Sequence, residues 1–165
     1  GPKQQAITQT RKKKKKDNDG NVDSLFLANR MVNYFPELKE DIAYEKLHYA
    51  NFRGITFAKE KILPLFKKYV ENEGANNLEK LSKSLNDIYN MGDLDVKGII
   101  SYILFNSIED EKKREMLLEN FTEANKKVIV AAFSLRGKKI KPEKPKKKRS
   151  GMFMEALEAK QQAGK

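Results

Sequence analysis

The sequence contains no cysteine and no tryptophan, a single histidine (His48) and 5 prolines in 165 residues. The missing cysteine excludes disulfide staples and thiolate chemistry, which fits a reducing compartment and leaves the fold to its hydrophobic core. One histidine excludes the His-Glu-x-x-His metal motif, and neither a Gly-rich phosphate loop nor a Gly-x-Ser-x-Gly elbow is present. No apolar run approaches the ~18 residues of a membrane span, and no charged start followed by an apolar stretch suggests a signal peptide. A soluble, intracellular protein is expected. Gly1-Pro2 in place of an initiator Met reads as the scar of a protease-cleaved tag.

Metal sites fail on spacing. Asp17-x-Asp19-x-Asn21 would place Ala28 at the twelfth position of a calcium loop, and Asp93-x-Asp95 would place Leu104 there. Carboxylates are plentiful on polar helix faces, but a catalytic pair needs burial to shift a pKa, and the pattern indicates none. No cofactor, no metal and no enzymatic activity are therefore expected. Asn120-Phe121-Thr122 matches a glycosylation sequon, without consequence in an intracellular protein.

What the sequence has in excess is lysine, and it sits at the two ends. Residues 1–22 carry seven basic and two acidic side chains, residues 136–165 eleven and three, and residues 23–135 sixteen and eighteen, so +5, +8 and −2 make up the net +11. Arg11, Lys12, Lys13, Lys14, Lys15 and Lys16 form an unbroken run. Arg136, Lys138, Lys139, Lys141 and Lys144 lead to a second run of Lys146, Lys147, Lys148 and Arg149. A nearly neutral middle with two cationic arms points to polyanions. Lysine, a compact point charge, favours diffuse contact with phosphates over bidentate base reading, and no aromatics interleave with the runs to stack on single-stranded bases.

Along the chain, residues 1–22 lack periodicity and end in the turn formers Asp17-Asn18-Asp19-Gly20, which predicts a disordered basic arm. From Ser24 apolar residues recur at spacings of three and four: Leu25, Ala28, Met31, Val32 and Phe35, then after Pro36 the stripe Leu38, Ile42, Ala43 and Leu47. Gly54 and Thr56 break and recap the chain before Ala58, Ile62, Leu65, Phe66, Tyr69 and Val70, where Pro64 predicts a kink or split. Asn76 with Glu79 forms a capping-box pattern before Leu78, Leu81, Leu85 and Ile88. Gly92-Asp93 stops that helix and caps the next, which is apolar nearly all round from Leu94 to Phe105 and so suits a central position. Ser107 and Asp110 recap a charged helix with Met116, Leu117 and Leu118, and Thr122 caps a last one with Ala124, Val128, Ile129, Ala132, Phe133 and Leu135 inward. His48, beside Tyr44 and Tyr49, reads as a helix-surface residue.

The fold class expected is all-α: an irregular bundle of six to seven short antiparallel helices over residues 23–137, with disordered basic arms. Residues 138–150, with Pro142 and Pro145, predict an extended, self-repelling linker. Residues 151–165 close the chain with a short amphipathic peptide in which Met152, Phe153, Ala156 and Leu157 would meet a partner.

The function expected from this organisation is an accessory nucleic-acid-binding protein. Its two arms would grip DNA or RNA through the phosphate backbone, without sequence preference. The helical core would position the arms and contact a protein partner of the replication, segregation or transfer type. The alternative is a helical adaptor working through its groove or residues 151–162, with arms serving solubility or localisation. An anionic membrane surface ranks third and is not expected as a partner. Placement would be cytoplasmic: at the nucleoid in a bacterium, or nuclear in a eukaryote, where Pro145-Lys146-Lys147-Lys148-Arg149 resembles an import signal. On the body, Lys59, Lys61, Lys67 and Lys68, or Lys112, Lys113 and Arg114, are the phosphate candidates, each with acidic neighbours that favour a solvated helix face.

Overall fold

The computed structural model describes residues 20–135 and 142–145. Seven helices make up these residues, arranged as an irregular all-α bundle. α1 is Ser24–Met31 and α2 is Leu38–His48. α3 is a continuous rod of three parts: Gly54–Phe57, a π-helical turn Ala58–Ile62, and Leu63–Asn72. α4 is Ala75–Met91. α5 joins Leu94–Gly98 to a π-helical stretch Ile99–Leu104 and a 3-10 turn Phe105–Ser107. α6 is Glu111–Leu118 and α7 is Glu123–Ser134.

Helix starts follow local chemistry. Asp23 accepts from the Phe26 amide at 2.9 Å, Asp93 from Val96 at 2.9 Å, Asp110 from Lys112 at 3.0 Å, and the Thr122 hydroxyl from Asn125 at 3.3 Å. Each satisfies an amide that the first helical turn leaves without an intrahelical partner. The box expected at Asn76 and Glu79 does not open α4, which starts at Ala75 on Gly74 without a side-chain cap. Both residues lie inside the helix instead, and Glu79 pairs with Lys83 one turn on at 2.8 Å. The kink expected at Pro64 takes the form of the π turn before it. Leu63 bonds the carbonyl of Ala58, five residues back, and this wider turn makes room for a ring that lacks an N–H and would crowd the preceding turn.

The core forms around α5, where Val96, Ile99, Ile100, Leu104 and Phe105 are buried and α1, α3, α4 and α7 pack against the helix. Phe105 meets Phe121 edge-on at 5.2 Å. The α4 stripe Leu78, Leu81, Leu85 and Ile88 is fully inside. Polar groups stitch the bundle where helices approach closely. Ser82, buried in α4, donates to the Leu117 carbonyl of α6. Asn86 accepts from the Thr122 amide and from Asn125 Nδ2, both at 3.1 Å, tying α4 to the start of α7.

Two stripes are rotated from their expected faces. In α2, Ala43 and Leu47 are exposed, while Glu45 and His48 turn inward with Leu38 and Ile42. His48 is therefore not a surface residue: its ring stacks on Tyr44 at 3.9 Å, and its Nδ1 donates to the Tyr44 carbonyl at 2.9 Å. In α7, Ile129 and Ala132 are buried, whereas Ala124, Val128 and Leu135 face outward. In α1, Leu27 joins Ala28 and Met31 in the core, and Leu25 and Val32 are half-buried.

Candidate nucleic-acid interface

Of the arm residues expected to contact phosphate, Lys144 alone lies within the described chain, where it is exposed. Arg11, Lys12, Lys13, Lys14, Lys15, Lys16, Arg136, Lys138, Lys139, Lys141, Lys146, Lys147, Lys148 and Arg149 lie outside the described residues, as do Met152, Phe153, Ala156 and Leu157. What the structure does place is the root of each arm.

The N-terminal root is a short backbone pairing. Gly20 donates to the Gly92 carbonyl at 3.0 Å, Val22 donates to Met91 at 2.9 Å, and Asp93 donates back to Val22 at 2.8 Å. This parallel bridge between Val22 and Gly92 fixes the chain at the α4–α5 junction just before α1 begins. A Cβ at Gly20 would collide with the Met91 carbonyl and lie 2.6 Å from that of Gly92, so the close approach requires glycine.

The C-terminal root is a side-chain anchor. Glu143 accepts from the Ile55 amide, and from the Thr56 amide and hydroxyl at 3.1 Å each. Its carboxylate thereby caps the first turn of α3, where unpaired N–H groups and the positive end of the helix dipole favour an anion. Thr56 was the expected cap, but the capping group comes from more than eighty residues away. Pro142 and Pro145 flank Glu143, and all four residues 142–145 are outside regular secondary structure.

These two roots are neighbours. Gly54, the first residue of α3, lies against Ser24, the first of α1. Gly20 is four residues upstream of Ser24 and Glu143 holds the amide next to Gly54, so the roots fall within roughly 20 Å of each other at extended-chain reach. A methyl at Gly54 would overlap the Ser24 side chain and lie 3.6 Å from its Cα. Gly54→Ala should therefore cost about 1–3 kcal/mol. Thermal melts should show the loss, and Ser24→Gly should recover much of it. A Gly54→Ala variant that melts like the parent would disprove the close approach.

Beside the C-terminal anchor, Arg53 closes on Glu45 of α2 through two bonds of 3.0 and 2.7 Å and lies 3.8 Å over the Tyr49 ring. The hydrogen bond to Glu45 pushes the Arg53 guanidinium above its ordinary range, against the opposing effect of burial.

In the basic clusters on the body, Lys67, Lys68 and Lys112 are exposed, while Lys61, Lys113 and Arg114 are engaged by the fold. Lys113 donates to the Val70 and Glu71 carbonyls at 2.8 and 2.7 Å, closing the C-terminus of α3, and Arg114 lies 3.8 Å over the Phe133 ring. Lys61 reaches Asp41 at 3.7 Å. Among the described residues, no group of His, Asp and Glu gathers as metal ligands, and no helix is long and apolar enough to cross a membrane.

The body is thus an irregular all-α domain, near neutrality, with the roots of two cationic arms on one side. The chain belongs to a family described as a domain of unknown function (DUF7674), which matches residues 28–133, inside the helical body and between the arms. No curated protein and no solved structure matches the chain.

Proposed function

We propose that the protein is a nucleic-acid-binding accessory factor that clamps a phosphate backbone between two lysine-rich arms held at neighbouring points of a helical body. The observation supporting this reading is the convergence of the roots: Gly20 paired to Gly92, Glu143 seated on Ile55 and Thr56, and Gly54 against Ser24. Residues 1–19 before the first root and residues 144–165 after the second each carry seven basic and two acidic side chains, so two stretches of +5 leave one side of the body and can engage one polyanion together. The body carries the difference between sixteen basic and eighteen acidic side chains, so it adds little attraction itself and serves as the mount. Placement follows the ligand: the nucleoid in a bacterium, the nucleus in a eukaryote.

The test is fluorescence anisotropy of the whole chain with duplex DNA and with single-stranded RNA at ~50 mM salt, where phosphate-driven binding is strong. Micromolar or tighter binding to either supports the clamp, and the ratio of the two affinities names the preferred nucleic acid. If neither binds, the clamp reading is wrong.

A second reading, a helical adaptor, has an observation of its own. Val128 and Val130 of α7 are 52% and 51% exposed, and Leu135, just past its end, is 46% exposed. Outward apolar side chains on one helix suit a protein partner. Association that survives high salt and is lost in Val128→Asp would favour this reading over the clamp.

A further inference from the structure

We infer that the acidic groove between α2 and α3 is a docking site for the chain's own basic run, Lys146 to Arg149, so that the C-terminal arm is held in cis on the body with Glu143 as its anchor. The groove encloses about 500 Å³. Four carboxylates line it, from Glu40, Asp41, Glu45 and Glu60, against the two cations Arg53 and Lys61. Glu45 is taken by Arg53, on which Glu60 also acts, and Asp41 by Lys61; four carboxylates against two cations leave a net negative charge, with Glu40 and Glu60 both exposed. Tyr44, also on the lining, is 56% exposed and offers an aromatic surface to an alkyl-ammonium or guanidinium group.

The anchor supplies the occupant. Glu143 holds the Ile55 and Thr56 amides, and the next residue, Phe57, lines the groove; Glu60 is one helical turn further on, and Arg53 precedes the same turn. Lys146 is three residues beyond Glu143, a reach of about 10 Å, and Arg149 adds about 10 Å more. A run of four cations is therefore tethered within about 20 Å of an anchor that sits next to a groove with net negative charge. Tethering on so short a link gives a local concentration in the millimolar range, where a contact too weak to persist between separate molecules is populated.

The absence of cysteine makes the test clean. A nitroxide on Ser150→Cys in the full chain should broaden the amide resonances of Tyr44, Glu45 and Glu60 at ~50 mM salt several-fold more than those of α6. The broadening should weaken several-fold in Glu40→Gln/Glu60→Gln, where the anchor alone keeps the label nearby, and decrease in Glu143→Gln, with circular dichroism unchanged in both. Equal broadening of α2 and α6, or broadening that persists undiminished in Glu40→Gln/Glu60→Gln, would overturn the inference. Mixing spin-labelled unenriched chain with unlabelled ¹⁵N chain separates the sources: broadening of the ¹⁵N chain would mean that a second copy fills the groove, which also overturns docking in cis. None of these readouts involves nucleic acid, so the inference stands or falls apart from the clamp.

Discussion

Replacing Lys12, Lys13, Lys14, Lys15 and Lys16 with glutamine should roughly halve the salt dependence of polyanion binding, and replacing Lys144, Lys146, Lys147 and Lys148 should do much the same. Binding that neutralises about 6 to 10 phosphates loses about 10³ to 10⁵ in affinity between ~50 and ~200 mM salt, because each displaced counterion enters the equilibrium. With contacts shared between the arms, either set of substitutions should weaken binding by about 10²-fold or more at ~100 mM salt, and both together should abolish it in the micromolar range. Lys-to-Arg exchange in the same positions should preserve binding, since charge and not bidentate geometry carries the contact. The roots lie close together, so a duplex of about one turn, ~34 Å, should suffice to engage both arms. Anisotropy titrations over a salt series read all of these outcomes. A slope that the N-terminal substitutions leave unchanged would remove that arm from the clamp, and binding that requires several turns of duplex would contradict neighbouring roots.

The helices were legible because their signals are local. A cap such as Asp93, Asp110 or Thr122 acts on an amide two or three residues away, and a stripe such as Leu78, Leu81, Leu85 and Ile88 needs only the helical period. The all-apolar stretch through Ile99, Ile100, Leu104 and Phe105 likewise marked the central helix, since burial on every side leaves no polar face. Errors arose where the deciding contact is distant in sequence. Nothing near Thr56 shows that Glu143 will cap its helix, because that bond closes a loop of 87 residues. His48 reads as a helix-surface residue, yet α2 turns it inward together with Glu45, because the Tyr44 carbonyl and Arg53 satisfy them there. In α7, alanine and valine occur on both faces, so the apolar pattern alone could not distinguish the face toward α5 from the one toward solvent. The arms were legible as charge; the nearness of their roots was not, since it depends on Gly54 meeting Ser24 and on Gly20 meeting Gly92.

Glu45→Ala should be among the most destabilising single changes outside the apolar core, with a loss of about 2–4 kcal/mol. The Glu45 side chain is 6% exposed and that of Arg53 20%, so the substitution leaves a guanidinium largely out of water with its bidentate partner gone. The lower end of that range allows for the water that still reaches Arg53. For a body of this size the melting temperature should fall on the order of 10 °C. Glu45→Gln, which keeps the shape and one acceptor, should lose less. Glu45→Leu combined with Arg53→Leu should recover much of the stability, because removing both charges also removes the cost of desolvating them. The double-mutant cycle gives the coupling directly. The same pair holds the residue before Gly54, so its loss should also loosen the turn whose amides Glu143 caps, and hydrogen exchange at Ile55 and Thr56 should quicken in Glu45→Ala more than at Leu85 in α4. A Glu45→Ala variant that loses less than about 0.5 kcal/mol would reduce the pair to an ordinary surface contact and detach the C-terminal anchor from the stability of the body.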